Sequence, residues 1–200
     1  LIGSPNLTKI NQDNFIGNID SGRGLFFMYK GKTETIRWIE FPTILKQPEN
    51  DFTIMNMNRI TVHPQSKEVV SAMGYYNLLF LYNNDGVLKK TIQVGDKEIS
   101  PIILGVYQLS EDNCICFREI VSTDKEVFVL MQNIKEKNFE KNDNPPSRIL
   151  VLDWNLNYQK TYELPHYAMT FALDESQNRI IYTILNEEGG TDLYYITLSD

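Results

Sequence analysis

The apolar positions of this 200-residue chain fall in short runs cut by Gly, Pro, Asn and Asp. The stretch from Asn58 to Val94 shows the pattern most clearly. Arg59-Ile60-Thr61-Val62 precedes the polar turn His63–Lys67. Glu68–Met73 follows and breaks at Gly74-Tyr75-Tyr76-Asn77. Leu78–Tyr82 ends at Asn83-Asn84-Asp85-Gly86, and Val87–Val94 runs out to Gly95. β-Branched and aromatic residues fill the runs and turn formers fill the breaks, which predicts strands. Asp85-Gly86 is a hairpin dipeptide, because Gly takes positive φ without steric cost. The connections are too short for crossover helices, so the four strands form an antiparallel meander. A sheet with two apolar faces must pack against others like it.

The chain supplies such partners. Leu78-Leu79-Phe80-Leu81 recurs as Leu25-Phe26-Phe27-Met28, Ile149-Leu150-Val151-Leu152 and Leu193-Tyr194-Tyr195-Ile196. The first three copies are each followed by a polar corner and a further strand. Ile60–Ala72 also lies over Phe171–Thr183 without a gap. One supersecondary unit repeated at roughly 40–70 residues indicates a stacked array, and radial four-stranded sheets are the propeller solution to exposed sheet edges. The reading is a single all-β, β-propeller-like domain over 1–200, with about four antiparallel four-stranded blades at 1–41, 55–95, 102–164 and 165–200. Pro42–Asp51 is a linker, Ile102–Leu109 an extra strand, and Asn133–Ser147 a mobile insertion with little to bury. The fourth unit lacks its outer strand. Either the N-terminal residues supply that strand or the chain belongs to a larger ring.

Composition narrows the function classes. With 42% apolar residues the chain has enough for a sizeable core. A net charge of −7 argues against broad nucleic-acid binding, which needs a basic footprint. No apolar run approaches the roughly 18 residues of a membrane span. Cys114 and Cys116, the only cysteines, sit at i and i+2 of a strand and read as buried small hydrophobes. The chain starts at Leu1-Ile2-Gly3, where a cleaved signal peptide and a fragment boundary both remain open.

The strand ending in Asp153-Trp154-Asn155, within Ser147–Leu164, and the Leu173-Asp174-Glu175 start of the next unit resemble the TolB-like six-bladed propeller proteins of Bacteroidetes. The resemblance is detailed over about 55 residues and looser elsewhere. It implies a ring of six blades, of which this chain would be part, with a closed four-bladed ring as the alternative. It further implies a periplasmic or cell-surface envelope protein, often lipid-anchored through a segment ahead of the residues seen here, with a largely undefined role.

Catalytic patterns are scarce. His63 and His166 have no second ligand at metal spacing and read as solvated loop residues. Gly22-Arg23-Gly24 is too short to cradle a phosphate. The acids at Asp174-Glu175 and Glu187–Asp192 lack calcium-loop spacing, and those after Leu152 and Tyr82 read as Asx-type turns. No catalytic residue, metal ligand or cofactor is therefore assigned. If the first strand of each meander lines the axis, one face gathers the loops between second and third strands together with the inter-unit connections. That near face collects Arg23, Tyr75, Tyr76, the insertion and His166, the candidate ligand-binding residues. Tyr75-Tyr76 could stack on a sugar or peptide unless they pack into the core. The favoured function is a non-catalytic binding module whose partner is an unknown protein or saccharide. The alternatives are a propeller hydrolase or lyase acting on saccharides or lactones, and a purely structural part of a larger propeller.

Overall fold

The computed structural model describes residues 6–18, 24–45, 57–105, 108–138 and 144–198. These form an all-β array of antiparallel sheets. The first sheet holds β1 (Asn6–Lys9), β2 (Asn14–Asn18), β3 (Phe26–Lys30) and β4 (Thr35–Ile39). The second holds β5 (Asn58–Val62), β6 (Val69–Met73), β7 (Leu78–Tyr82) and β8 (Leu88–Gln93). A short ribbon, β9 (Ile103–Gly105) and β10 (Gln108–Leu109), stands where one extra strand was expected. The third sheet takes β11 (Cys114–Ser122), β12 (Glu126–Lys135), β13 (Arg148–Asp153) and β14 (Tyr158–Glu163). The fourth has three strands, β15 (Thr170–Asp174), β16 (Arg179–Leu185) and β17 (Thr191–Thr197). Within each sheet the strands follow chain order, so every sheet is a meander.

The repeats seen in the sequence are repeats of geometry. Ile60 lies opposite Ser71, and Phe171, its counterpart, lies opposite Tyr182. The corner after β7 and the corner after β13 share a register shift, between Leu81 and Tyr82 in one and Val151 and Leu152 in the other. Asn83 Oδ1 accepts the Asp85 and Val87 N–H groups at 3.0 and 2.8 Å. Asp153 Oδ1 accepts those of Asn155 and Asn157, both at 2.8 Å. The same side-chain lock closes both corners, as Asx turns do. His63 has a matching role two strands earlier, between β5 and β6. Its Nδ1 accepts the N–H groups of Gln65 and Ser66 at 3.0 and 3.1 Å, while its ring lies 4.6 Å from that of Trp154. It is a half-buried turn cap, not the solvated loop residue expected. At the equivalent turn of the fourth sheet Asp174 Oδ1 accepts from Gln177 N and Ser176 Oγ.

Strand alternation explains the stacking. In β7, Leu78, Phe80 and Tyr82 point to the first sheet, where they meet Ile16, Leu25 and Phe26. Leu79 and Leu81 point the other way, onto Cys116, Val127, Val129, Leu150 and Leu152 of the third sheet. In β12 and β13 the complementary set, Phe128, Leu130, Ile149 and Val151, faces Phe171, Ile180 and Tyr182 of the fourth. Successive side chains of a strand project to opposite faces, so one run of apolar residues feeds two cores.

The insertion after β12 departs from expectation. β12 extends to Lys135, a 3₁₀ turn follows over Glu136–Asn138, and Ile134 is buried. The expected mobile loop lies partly outside the described residues, as do residues 46–51 of the expected linker. The described N-terminal residues pair with β2, not with β17, so among the described residues the fourth sheet stays three-stranded. The two end faces of the stack remain apolar. Leu7, Phe27 and Trp38 lie in one cross-strand row of the first sheet, and Phe15, Tyr29 and Ile36 in another. On the fourth sheet Leu193 is 70% exposed and Tyr195 64%.

Leu81, sandwiched between the second and third sheets, should carry more stability than any surface ion pair. Replacing it with alanine should cost about 2–5 kcal/mol, from lost transfer energy plus the cavity. Lys89→Ala, which removes the largely exposed partner of Glu68, should cost less than about 1 kcal/mol. Urea unfolding of both variants checks this; equal losses would contradict the two-faced core.

Candidate functional site

The near face does gather. Tyr75 from the β6–β7 loop packs with Ile115 at the start of β11 and Ile134 at the end of β12, and Met57, Leu109 and Tyr167 close around them. β11 lies against both β5 and β15, so the first strands of the second, third and fourth sheets run side by side along one edge of the array. The Cys116 N–H donates to the Gly74 carbonyl at 2.7 Å, and the Gly74 N–H to the Met57 carbonyl, also at 2.7 Å. The β6–β7 loop is thereby pinned to the neighbouring strand. A Cβ at Gly74 would stand 3.2 Å from the Met57 carbonyl oxygen, a close approach that a larger residue could make only if the backbone there gave way slightly.

Between these elements lies a small cleft of about 30 Å³, lined by Met57, Asn58, Arg59, Gly74, Tyr75, Ile115, Phe117 and Arg118. The two arginines arrive by different routes. Arg59 sits opposite Ala72, on the β5 face turned toward the third sheet, and donates to the Asn58 carbonyl at 3.1 Å. Arg118 has no direct partner across the ladder: Phe117 pairs with Met131 and Glu119 with the adjacent Leu130. The strand carries one extra residue there, a β-bulge, which re-aims a side chain. Burial, and then the neighbouring Arg59 charge, push the Arg118 guanidinium below its ordinary range, while Tyr167, Glu119 and Tyr75 pull the other way. The Tyr75 hydroxyl donates to Glu136 Oε1 at 3.1 Å, and Glu119 accepts from the Ile120 N–H at 3.2 Å and from Thr170 Oγ1 at 3.4 Å. The described lining residues include two guanidinium groups and no carboxylate.

The four candidates from the sequence do not stay together. Tyr75 is among the cleft's lining residues but is only 7% exposed. Tyr76, 2% exposed, belongs to the core between the first and second sheets. Neither ring offers a free face for stacking on a ligand. The alternation that turns Leu78 and Phe80 inward draws Tyr76 in with them. His166 is half-buried in the fourth sheet, its Nδ1 3.1 Å from the Tyr182 hydroxyl and its ring 4.6 Å from that of Tyr194. It does not line the cleft. Arg23 lies outside the described residues. Sequence reading missed Arg59 and Arg118. Their signal was slight: each is the lone cation in the first strand of its unit.

Other candidate chemistry resolves into structure. Among the described residues no group of three or more His, Cys, Asp or Glu side chains is placed to hold a metal. Cys116 is buried between the second and third sheets and Cys114 is half-buried beside it. The contact with Cys114, reinforced by burial, pushes the Cys116 thiol up. Asp174 is held below the usual carboxylate range by its bonds to Ser176 and Arg179. No helix among the described residues is long and apolar enough to cross a membrane.

No family model and no curated protein matches the sequence. Among solved structures the chain is similar to a member of the DUF4221 family from Bacteroides vulgatus, with a TM-score of 0.63 and 12% identity. The match covers 98% of this chain and 64% of that one, so this chain spans less than two thirds of its neighbour's length. A likeness at this identity bears on the fold alone, and it agrees with the propeller-like all-β array.

The buried tyrosines give this site a pH signature. Burial pushes Tyr76 up to about 12, and raises Tyr75, Tyr82 and Tyr167 as well, Tyr75 further through the Glu136 carboxylate. A group whose folded pKa is raised stabilises the fold fully below its unfolded value, about 10 for tyrosine, and loses that contribution as pH rises through the folded value. Thermal melts between pH 9 and 12 should fall steeply above about pH 10. Tyr76→Phe should flatten the fall. A melting temperature unchanged across that window would contradict the burial.

Proposed function

We propose that this protein is a non-catalytic binding module of the bacterial cell envelope, and that it binds through the cleft at the inner edge of its second and third sheets. One observation carries the reading: Arg59, Arg118 and Tyr75, from three separate strands and loops, line one cleft with Met57, Ile115 and Phe117. Small-molecule sites have this make-up, with apolar linings and a few convergent polar groups. The envelope assignment is supported by the resemblance of Asp153-Trp154 and Leu173-Asp174-Glu175 to the TolB-like propellers.

A second reading, not exclusive of the first, is favoured by the end faces. Sheets apolar on both sides are covered in the middle of the stack and uncovered at its ends, where Leu193 and Tyr195 project. Exposed patches and unpaired strand edges of this kind are sites of association. The four sheets then form part of a larger ring, with further blades seated on the first and fourth sheets.

Two experiments test these readings. A thermal-shift panel of saccharides, short peptides and small acids should contain at least one stabilising ligand, by about 2.7 kcal/mol at a hundredfold its dissociation constant. Arg118→Gln should abolish that shift. A shift that persists in the variant would place the site elsewhere. For the end faces, sedimentation of this chain should show concentration-dependent self-association that Leu193→Lys with Tyr195→Lys removes; a monomer at all concentrations would count against further blades.

A further inference from the structure

The outer strands carry a cation at one repeated place. Arg37 of β4 stands opposite Met28, Lys90 of β8 opposite Leu81, and Lys160 of β14 opposite Val151. Met28, Leu81 and Val151 all face the following sheet. Residues directly opposite one another in a ladder share a face, so each cation points the same way. Arg37 donates to the Asp85 carbonyl of the second sheet, and Lys90 to the Asn155 carbonyl of the third at 2.6 Å. Asp85 and Asn155 are the same point of two like corners, each two residues past the side chain that locks the turn. A cation on the rim of one sheet therefore grips the corner of the following sheet through a charge-assisted hydrogen bond.

The fourth sheet repeats the other three strands without this one. Ile181 stands opposite Tyr195 as Val70 stands opposite Leu81, and Thr183 opposite Leu193 as Ala72 opposite Leu79. Leu79 and Leu81 are covered by the third sheet, whereas Leu193 is 70% exposed and Tyr195 64%. Among the described residues β17 pairs only with β16, so its other edge offers open N–H and C=O groups. We propose that this edge is the docking site for one antiparallel strand, supplied by further polypeptide of the larger ring. The strand carries lysine or arginine opposite Tyr195 and an aliphatic or aromatic residue opposite Leu193. The inference rests on the larger-ring reading above and adds to it the chemistry of the partner. The chain's own outer strands show the pattern. Lys90-Thr91-Ile92 and Lys160-Thr161-Tyr162 run cation, threonine, apolar residue against the same positions of β7 and β13. Tyr195 suits a cation, since an aromatic face attracts one. Arg179, itself paired with Asp174, already lies 5.3 Å from the centroid of that ring.

The experiment adds a peptide of residues 157–164 (NYQKTYEL), which is β14 with one flanking residue at each end, to the isotopically labelled chain. Nuclear magnetic resonance follows the amides of β15, β16 and β17. The peptide should shift the β17 signals saturably and slow hydrogen exchange at alternate β17 amides, as strand addition does. A scrambled peptide of the same composition should do neither. The change Lys160→Gln within the peptide should weaken binding by about threefold, the scale of one exposed cation–π contact. Equal binding of these two peptides would overturn the cation inference. Silence at β17 at millimolar peptide, or equal binding of the scrambled peptide, would overturn the docking inference. Sedimentation separates that failure from failure of the larger ring. Self-association through Leu193 and Tyr195 would leave the ring reading standing, and a monomer would remove both.

Discussion

The structure depends on strands that are apolar on both faces. Val70 and Ala72 of β6, with Leu79 and Leu81 of β7, face one neighbour, while Val69, Met73, Leu78, Phe80 and Tyr82 face the other. A sheet of this kind cannot be half of a two-layer sandwich with one wet side. It has to stand between two others, and those two inherit the same requirement. Stacking in chain order follows, and the third sheet repeats the rule with Val127, Val129, Leu150 and Leu152 against Phe128, Leu130, Ile149 and Val151.

The cleft is a by-product of that stacking. Sheets packed face to face place their first strands side by side, and β11 therefore lies between β5 and β15. Residues there escape the inter-sheet cores and meet residues of the adjoining loops. Polar connections tie the edge together. Asn77 holds the carbonyls of Val94 and Lys97 and the N–H of Ile99 at 2.7–2.8 Å. Asn18 donates to the Asn58 carbonyl at 2.7 Å, and Asn58 to that of Leu25 at 2.9 Å, linking the first two sheets. These buried amides replace ladder hydrogen bonds where the backbone turns. They keep the cleft's walls in place while the arginines project into it.

The sequence made the strands, their order and their repeat legible because two-residue periodicity and turn chemistry are local. Ile60–Ala72 and Phe171–Thr183 matched by eye, and their ladders match in space. The Asx corner at Asp153 was readable for the same reason. The site was less so. Tyr75-Tyr76 stood in a break between strands and promised an exposed pair, but a tight turn between two fully buried strands leaves no room for aromatic rings to face water. His166 was on the expected face, yet Tyr182 and Tyr194 claim it. Arg59 and Arg118 were visible only as lone cations in their strands, and such a cation acquires meaning only once the inner edge is assembled. The bulge that re-aims Arg118 depends on pairing with β12, and no local pattern announces it.

If one apolar run feeds two cores, loosening either face of the second sheet must loosen a different neighbour. Native-state hydrogen exchange of Leu81→Ala and Phe80→Ala tests this most directly. Leu81→Ala should speed exchange in the third sheet and leave the first protected, and Phe80→Ala should do the reverse. The same pattern of lost protection in both variants would contradict two separate cores.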